Sequence, residues 1–304
     1  MLSILLPAYR TDVRPLTRQL SKLASMLEVP CEIIVCDDGS GLEWQPLFQE
    51  AGRETFVRIL DQPVNSGRAA TRNRLAAQAQ YPILLFLDAD VYIAQPDFLH
   101  NYLRAIPPDD HWVIYGGCQY PEERPEDPRL RLHWEYGRRV ENPGLAKRKR
   151  QAHRHFHTVN FMVPKALMLH LPFDEHLKGY GHEDSAWATA LSQMGVPMAH
   201  IENPVVHLGL NTHVHFLRNV ASSVSNALTL ESKGQSLPGG LKFVRLCLGG
   251  LKLKGLCYHL YRRCERRIVH NLIGQNPNLW MLGMYKLGLS LRKEQRSALK
   301  RSKS

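Results

Sequence analysis

The chain has 304 residues, 44% of them apolar, enough for one large α/β domain with a smaller appendage and too rich in core-forming side chains for a disordered protein. Its net charge of +11 is unevenly placed: residues 238–304 hold 15 Lys/Arg against 2 Asp/Glu, a local +13, so the first 237 residues carry −2. No nucleic-acid recognition motif accompanies that basic tail, which argues against DNA or RNA as its partner, and no run of about 18 apolar residues is present to span a membrane.

In chain order, Ser3–Leu6 is a short apolar run broken by Pro7, and Leu16, Leu20, Leu23 and Leu27 repeat at helical spacing. Glu32–Cys36 is a second strand-like run, stopped by the turn formers Asp37-Asp38-Gly39-Ser40. Val57–Leu60 reads as a third strand, Ala69–Ala79 as a helix and Ile83–Leu87 as a fourth strand. Strands without polar alternation suit a mostly parallel sheet buried on both faces. Strand–helix alternation with short connections predicts a doubly wound, Rossmann-like α/β fold that binds ligands at the carboxyl ends of its strands. Beyond this, Val113–Gly117 suits another strand, Lys147–His157 reads as a basic mobile loop, and Phe161–Leu171 and Ser185–Met194 look helical. A composition shift past Leu237 predicts a boundary there: 1–237 as the main domain, divided at about 115, and 238–304 as a helical basic extension.

Three stretches carry chemistry. Asp88-Ala89-Asp90 directly follows the apolar strand Ile83–Leu87; two carboxylates at i and i+2 suit a divalent cation shared with substrate phosphates. Asp38 follows the second strand in the same way, where a carboxylate can accept the N–H of a nucleobase. Asn65-Ser66-Gly67 opens into a helix carrying Arg68 and Arg72 on one face, an arrangement suited to anions. Taken alone, each stretch also suits a plain turn or a solvated helix start.

The order of the motifs is more informative. Ser3–Arg10 (SILLPAYR), Cys36-Asp37-Asp38-Gly39-Ser40, Asn65-x-Gly-x-Ala-x-x-Arg-Asn73 and Phe86-Leu87-Asp88-Ala89-Asp90 are followed by Phe173-Asp174-Glu175 and Gly179-Tyr180-Gly181-His182-Glu183-Asp184. Over roughly residues 1–210 the sequence resembles the family-2 inverting glycosyltransferases of GT-A fold. That resemblance implies a nucleotide-sugar donor, most readily a UDP-sugar, and a saccharide or lipid-linked saccharide acceptor in cell-surface polysaccharide or glycoconjugate synthesis. It implies that Pro7, Ala8, Tyr9, Arg10 and Asp38 line the nucleobase pocket, and that Asn65, Gly67, Arg72 and Asn73 belong to the donor-binding turn. Asp88 and Ala89 would face the ribose or a metal-bound water. Asp90 and His207, with Asp88, would hold Mn²⁺ or Mg²⁺. The Glu183/Asp184 pair would be catalytic, with Asp184 as base and Glu183 on the acceptor hydroxyl, or the reverse. Gly179 and Gly181 would let an acceptor approach, and Tyr180 or Trp187 could stack on a sugar, although Trp187 equally suits a core. A nucleotidyltransferase acting on sugar phosphates, or a scaffold of the same fold without turnover, is the alternative.

In the tail, Leu241, Val244, Leu248 and Leu251, then Leu256, Leu260, Cys264 and Ile268, form apolar stripes beside Arg262, Arg263, Arg266 and Arg267. Basic amphipathic helices suit an anionic membrane surface; a helical pair packed on the main domain is the other reading. The six cysteines lack metal or disulfide spacing and the N-terminus lacks a charged leader, so a cytoplasmic protein is expected, peripheral on the inner face of the cell membrane if the tail binds lipid.

Overall fold

Apolar runs become strands as the composition requires. β1 (Leu2–Ala8) lies between β2 (Cys31–Asp37) and β4 (Ile83–Leu87), parallel to both, with Ile4 opposite Ile33 on one side and Leu85 on the other. Its Leu2, Ile4, Leu5 and Leu6 are fully buried, which explains why the strand shows no alternation. In the computed structural model, which describes residues 1–177, 179–232, 234, 240–250 and 252–301, the seven-stranded sheet has the order β3-β2-β1-β4-β8-β6-β9, where β3 is Val57–Asp61, β6 Val113–Tyr115, β8 Asn160–Pro164 and β9 Met198–His200. β8 alone runs antiparallel to its neighbours, β4 and β6. A second sheet of three short strands joins β5 (Val91–Tyr92), β10 (Val205–His207) and β7 (Cys118–Gln119). The expected α/β architecture, a mostly parallel Rossmann-like sheet flanked by helices with a helical C-terminal region, is the one observed.

The helices are α1 (Arg14–Ala24), α2 (Gln45–Ala51), α3 (Arg68–Gln78), α4 (Phe98–Arg104), α5 (Arg131–Tyr136), α6 (Leu145–Arg150), α7 (Lys165–His170), α8 (Glu183–Gln193), α9 (His213–Ser232), α10 (Gly240–Gly250), α11 (Lys254–Leu272) and α12 (Leu279–Arg301). The chain forms two compact units. One comprises Met1–Pro121, Val140–Leu177 and Glu183–Gly209 and contains both sheets; the other comprises Glu122–Arg139, Lys178–His182 and Leu210–Ser304. The sequence boundary at 237/238 lies outside the described residues.

In the first unit the chain runs from β1 to β2 and β3 on one side of the sheet, then crosses to β4 on the other. That reversal opens a crevice above the carboxyl ends of β1 and β4, the place where α/β sheets take ligands. Behind it, Phe86 stacks on Phe161 at 4.8 Å, and Phe156, Phe173 and Trp187 close the same aromatic core. Trp187 is buried, its indole N–H donating to Leu171 O at 2.7 Å, so it packs the core and is not available to a sugar.

Two expectations are corrected. Phe161–Leu171 is not one helix: Asn160–Pro164 is a strand and only Lys165–His170 is helical. A short run such as Phe161-Met162-Val163, buried between β4 and β6, fits either periodicity until its neighbours are known. The basic stretch 147–157 is not a loop but helical through α6 and a following 3₁₀ turn. It is anchored by Arg148, which is buried beneath the Tyr115 ring at 5.5 Å and donates to Ile201 O at 3.3 Å. In the second unit, Ile268 of the stripe read on α11 is buried. Tyr261, Ile268 and Leu272 pack with Leu282 and with Phe216, Leu217 and Val220 of α9, while Leu256, Leu260 and Cys264 are exposed. Both sets have helical spacing, and Tyr258 packs beside the buried one. The side chains of Leu241 and Leu251 lie outside the described residues.

Candidate functional site

The carboxyl end of β2 organises the turn that opens α3. Asp38 is buried, its N–H donating to Ala8 O at 2.8 Å and so tying the end of β2 to the end of β1. Its carboxylate accepts from the Ser66 N–H and hydroxyl at 2.7 and 2.9 Å and from the Gly67 N–H at 2.9 Å. Asn65 Nδ2 donates to Asp38 O at 3.1 Å. Asp38 therefore shapes the Asn65–Gly67 turn, with one buried carboxylate satisfying two backbone donors at the start of α3. Gly67 sits at φ +92°, a left-handed conformation that glycine alone adopts without strain. Pro7 and Ala8 end β1, Tyr9 is 44% exposed at the rim, and the Arg10 N–H donates to Ser40 Oγ at 2.7 Å.

Arg72, one turn into α3, is 1% exposed. Its guanidinium meets Asp88 Oδ1 at 2.8 Å and lies 3.8 Å from Glu183 Oε1, joining the carboxylate after β4 to the first residue of α8. Asn73 holds the adjacent connection in place. Its amide donates to Phe173 O at 3.0 Å and Glu175 Oε1 at 2.8 Å, and accepts from the Phe173 N–H at 2.9 Å. Both were read from sequence as residues of the donor-binding turn; here both make contacts inside the protein, and Arg72 Nε and Nη1 have no hydrogen-bond partner among the described residues.

The small sheet brings Asp90 and His207 together. β10 pairs antiparallel with β5, His207 opposite Val91, so the imidazole at the end of β10 lies beside the residue preceding β5; Nδ1 is 3.6 Å from Asp90 Oδ1. The His207 ring packs against Tyr120 at 5.5 Å, and its Nδ1 also accepts the Gly209 N–H at 3.2 Å. Ala89 is buried between the two acids, and Asp88 faces Arg72. Among the described residues no group of three or more His, Cys, Asp or Glu side chains forms a metal cluster. The Asp90–His207 pair offers one hard oxygen and one nitrogen, a donor set that fits a divalent ion whose other positions are filled by phosphate and water.

Gly209 carries no catalytic group, and nothing in the sequence marks it except its place two residues after His207. Any Cβ there would overlap the Asp90 carboxylate. Gly209→Ala is expected to displace Asp90, weakening Mn²⁺ binding at least tenfold by calorimetry with both ligands still present; unchanged affinity would disconnect Gly209 from that carboxylate.

Glu183 and Asp184 open α8, where the helix dipole favours negative charge. Glu183 is buried. Burial and the neighbouring Asp184 charge raise its pKa against the pull of Arg68 and Arg72, so it holds a proton further up the pH scale than an ordinary glutamate. Asp184 remains partly exposed, its Oδ1 accepting the Ser185 N–H at 2.6 Å and its Oδ2 lying 3.1 Å from His157 Nδ1. Burial opposes charge on His157, but the Asp184 hydrogen bond and the surrounding carboxylates prevail and raise its pKa above 6.5. Sequence reading missed His157, which sits unmarked in the histidine-rich stretch 153–157.

The glycine turn before α8 lies in the second unit. Gly179 and Gly181 have φ of +82° and +95°, and a Cβ on either would press on Ser222 or Ser223 of α9. The Tyr180 N–H donates to Ser222 Oγ at 3.0 Å, so these glycines let the turn pack closely on a helix of their own unit.

The glycosyl transferase family 2 model matches residues 3–176. Two curated relatives are a hyaluronan synthase from Pasteurella multocida, 31% identical over 101 residues (33% of this chain, 10% of the relative), and the uncharacterised glycosyltransferase YfnE of Bacillus subtilis strain 168, 30% identical over 117 residues (38% and 29%). The matched segments are thus less than a third of either relative. Among solved structures, the mannosyltransferase PcManGT from Pyrobaculum calidifontis, in complex with GDP-Man and Mn²⁺, superposes with a TM-score of 0.53 at 16% identity, covering 78% of this chain and 65% of its own. The chain belongs to glycosyl transferase family 2 and has the GT-A fold.

Proposed function

We propose that this glycosyltransferase moves a sugar from a nucleoside-diphosphate donor, with UDP-sugars the first choice, to an acceptor hydroxyl with inversion at the anomeric carbon. The observation carrying the reading is the buried Arg72, which joins the donor-side Asp88 to the acceptor-side Glu183 and so sets the residues for leaving group and nucleophile around one rigid guanidinium. Residues 1–115 would supply the donor site and 116–237 the acceptor site. Asp90 and His207 would hold a divalent ion, Mn²⁺ in preference to Mg²⁺ because of the nitrogen donor; when bound, the ion neutralises charge on the departing diphosphate. Asp184, exposed where Glu183 is buried, takes the acceptor proton. The hydroxyl oxygen forms its bond to the anomeric carbon from the face opposite the diphosphate, which leaves with the electron pair of the broken C–O bond. The acceptor is a saccharide or lipid-linked saccharide met at an anionic membrane surface, in cell-surface polysaccharide or glycoconjugate synthesis.

The test is a panel of UDP-, GDP- and dTDP-sugars with and without Mn²⁺, reading thermal shift and the nucleotide released. Release of nucleoside diphosphate supports transfer. Pyrophosphate release would make the protein a nucleotidyltransferase, and silence across the panel would make it a scaffold without turnover.

The His157–Asp184 pair gives a pH prediction. Protonated His157 stabilises the Asp184 carboxylate and makes it a poorer base, so kcat/KM is expected to rise as pH passes upward through the His157 pKa, above 6.5. In His157→Gln the amide keeps a hydrogen bond without charge, and this limb should move to lower pH. An unmoved limb would show that His157 does not tune the base. Stability has the opposite sense: because folding raises this pKa, the His157 contribution is full below about 6.5 and is lost as pH climbs through the folded value.

A further inference from the structure

We infer that the outward face of α11 is a docking surface for an anionic lipid bilayer, a deepening that rests on the membrane-surface part of the reading above. The helix turns Tyr261, Ile268 and Leu272 into the core of its own unit. On the opposite face Leu253, Leu256 and Leu260 follow one another at helical spacing with 37%, 56% and 51% of their surface exposed. Arg263 and Arg267 continue that line, with Arg266 on its flank, all three exposed. The only acid of this helix, Glu265, is taken by Arg292 at 2.6 Å, and no ion pair engages Arg263, Arg266 or Arg267 among the described residues. A strip of unpartnered leucines fringed by unpaired arginines is matched by apolar tails beneath negative headgroups, whereas burial against a second copy of the chain would leave those cations facing their own kind. No described helix is long and apolar enough to cross a membrane, so the contact lies in the plane of the surface.

The test uses the full chain with vesicles of phosphatidylcholine alone or mixed with phosphatidylglycerol, read by co-sedimentation. The protein is expected to partition at least tenfold better onto the anionic vesicles, and less as salt rises. Arg263→Glu/Arg267→Glu and Leu256→Ser/Leu260→Ser should each lose at least tenfold of that partitioning, and because these side chains face solvent both variants should keep the parent's melting temperature. Equal partitioning onto both vesicle types, none onto either, or variants that bind like the parent would overturn the inference. So would a dimer in light scattering that the leucine variant dissociates, since the face would then belong to a second copy. Nucleotide-sugar hydrolysis measured without vesicles separates the two readings: its absence beside intact vesicle binding counts against transfer and leaves the surface standing.

Discussion

Asp184→Asn is expected to lower kcat by about 10²–10⁴-fold, the range a positioned general base contributes, with little change in donor affinity or melting temperature. The amide keeps the carbonyl oxygen that accepts the Ser185 N–H, so the start of α8 is preserved, but it has no basic oxygen left for the acceptor proton. Glu183→Gln behaves differently in this account. Glu183 is buried against Arg72, and burial and the Asp184 charge raise its pKa, so the neutral isostere should cost less in kcat than Asp184→Asn. The comparison decides which acid is the base. If Glu183→Gln gives the larger loss and Asp184→Asn stays within tenfold of the parent, the roles are exchanged. Donor hydrolysis in the absence of acceptor, where water is the nucleophile, should fall in parallel in whichever variant has lost the base.

The strands and turns of the donor half were legible because their signals are local. Ile83–Leu87 is a buried apolar run that ends on acids, and Asp38 follows β2 in the same manner; neither depends on what packs alongside. The pairing of Asp90 with His207 was legible only through the resemblance, since their proximity comes from β10 pairing with β5 across more than a hundred residues. What the side chains do was less visible. Arg72 and Asn73 read as ligand contacts because a cation and an amide at a helix start usually face solvent, and only the packed structure shows them turned inward on Asp88 and Phe173. The antiparallel β8 was hidden because Phe161–Val163 satisfies strand and helix periodicity alike. Which side of α11 packs inward was hidden for a related reason: two apolar stripes share the helix, and tertiary partners choose between them.

Arg72→Met should be the most damaging single change to stability, costing about 3–5 kcal/mol as expected when one member of a buried ion pair is removed, with the lower end favoured because Asp88 retains some access to water. The methionine fills much of the volume beneath Phe173, whose ring lies 5.9 Å from the guanidinium, so the loss is electrostatic more than steric. Asp88 then loses its ion-pair partner, while Glu183 keeps the pull of Arg68. Glu183 can recover by binding a proton, and the penalty should therefore shrink as pH falls toward the carboxylate range. Arg72→Lys should lie between, keeping the charge but not the fork that reaches Asp88 and Glu183 together. The decisive variant is Arg72→Met/Asp88→Asn. If the guanidinium's chief work is to neutralise Asp88, urea denaturation should show the double substitution costing less than the sum of the singles by 1 kcal/mol or more (about the coupling expected for residues in contact). Strict additivity would mean that Arg72 holds the site by packing alone, and the electrostatic link between donor and acceptor carboxylates would have to be given up.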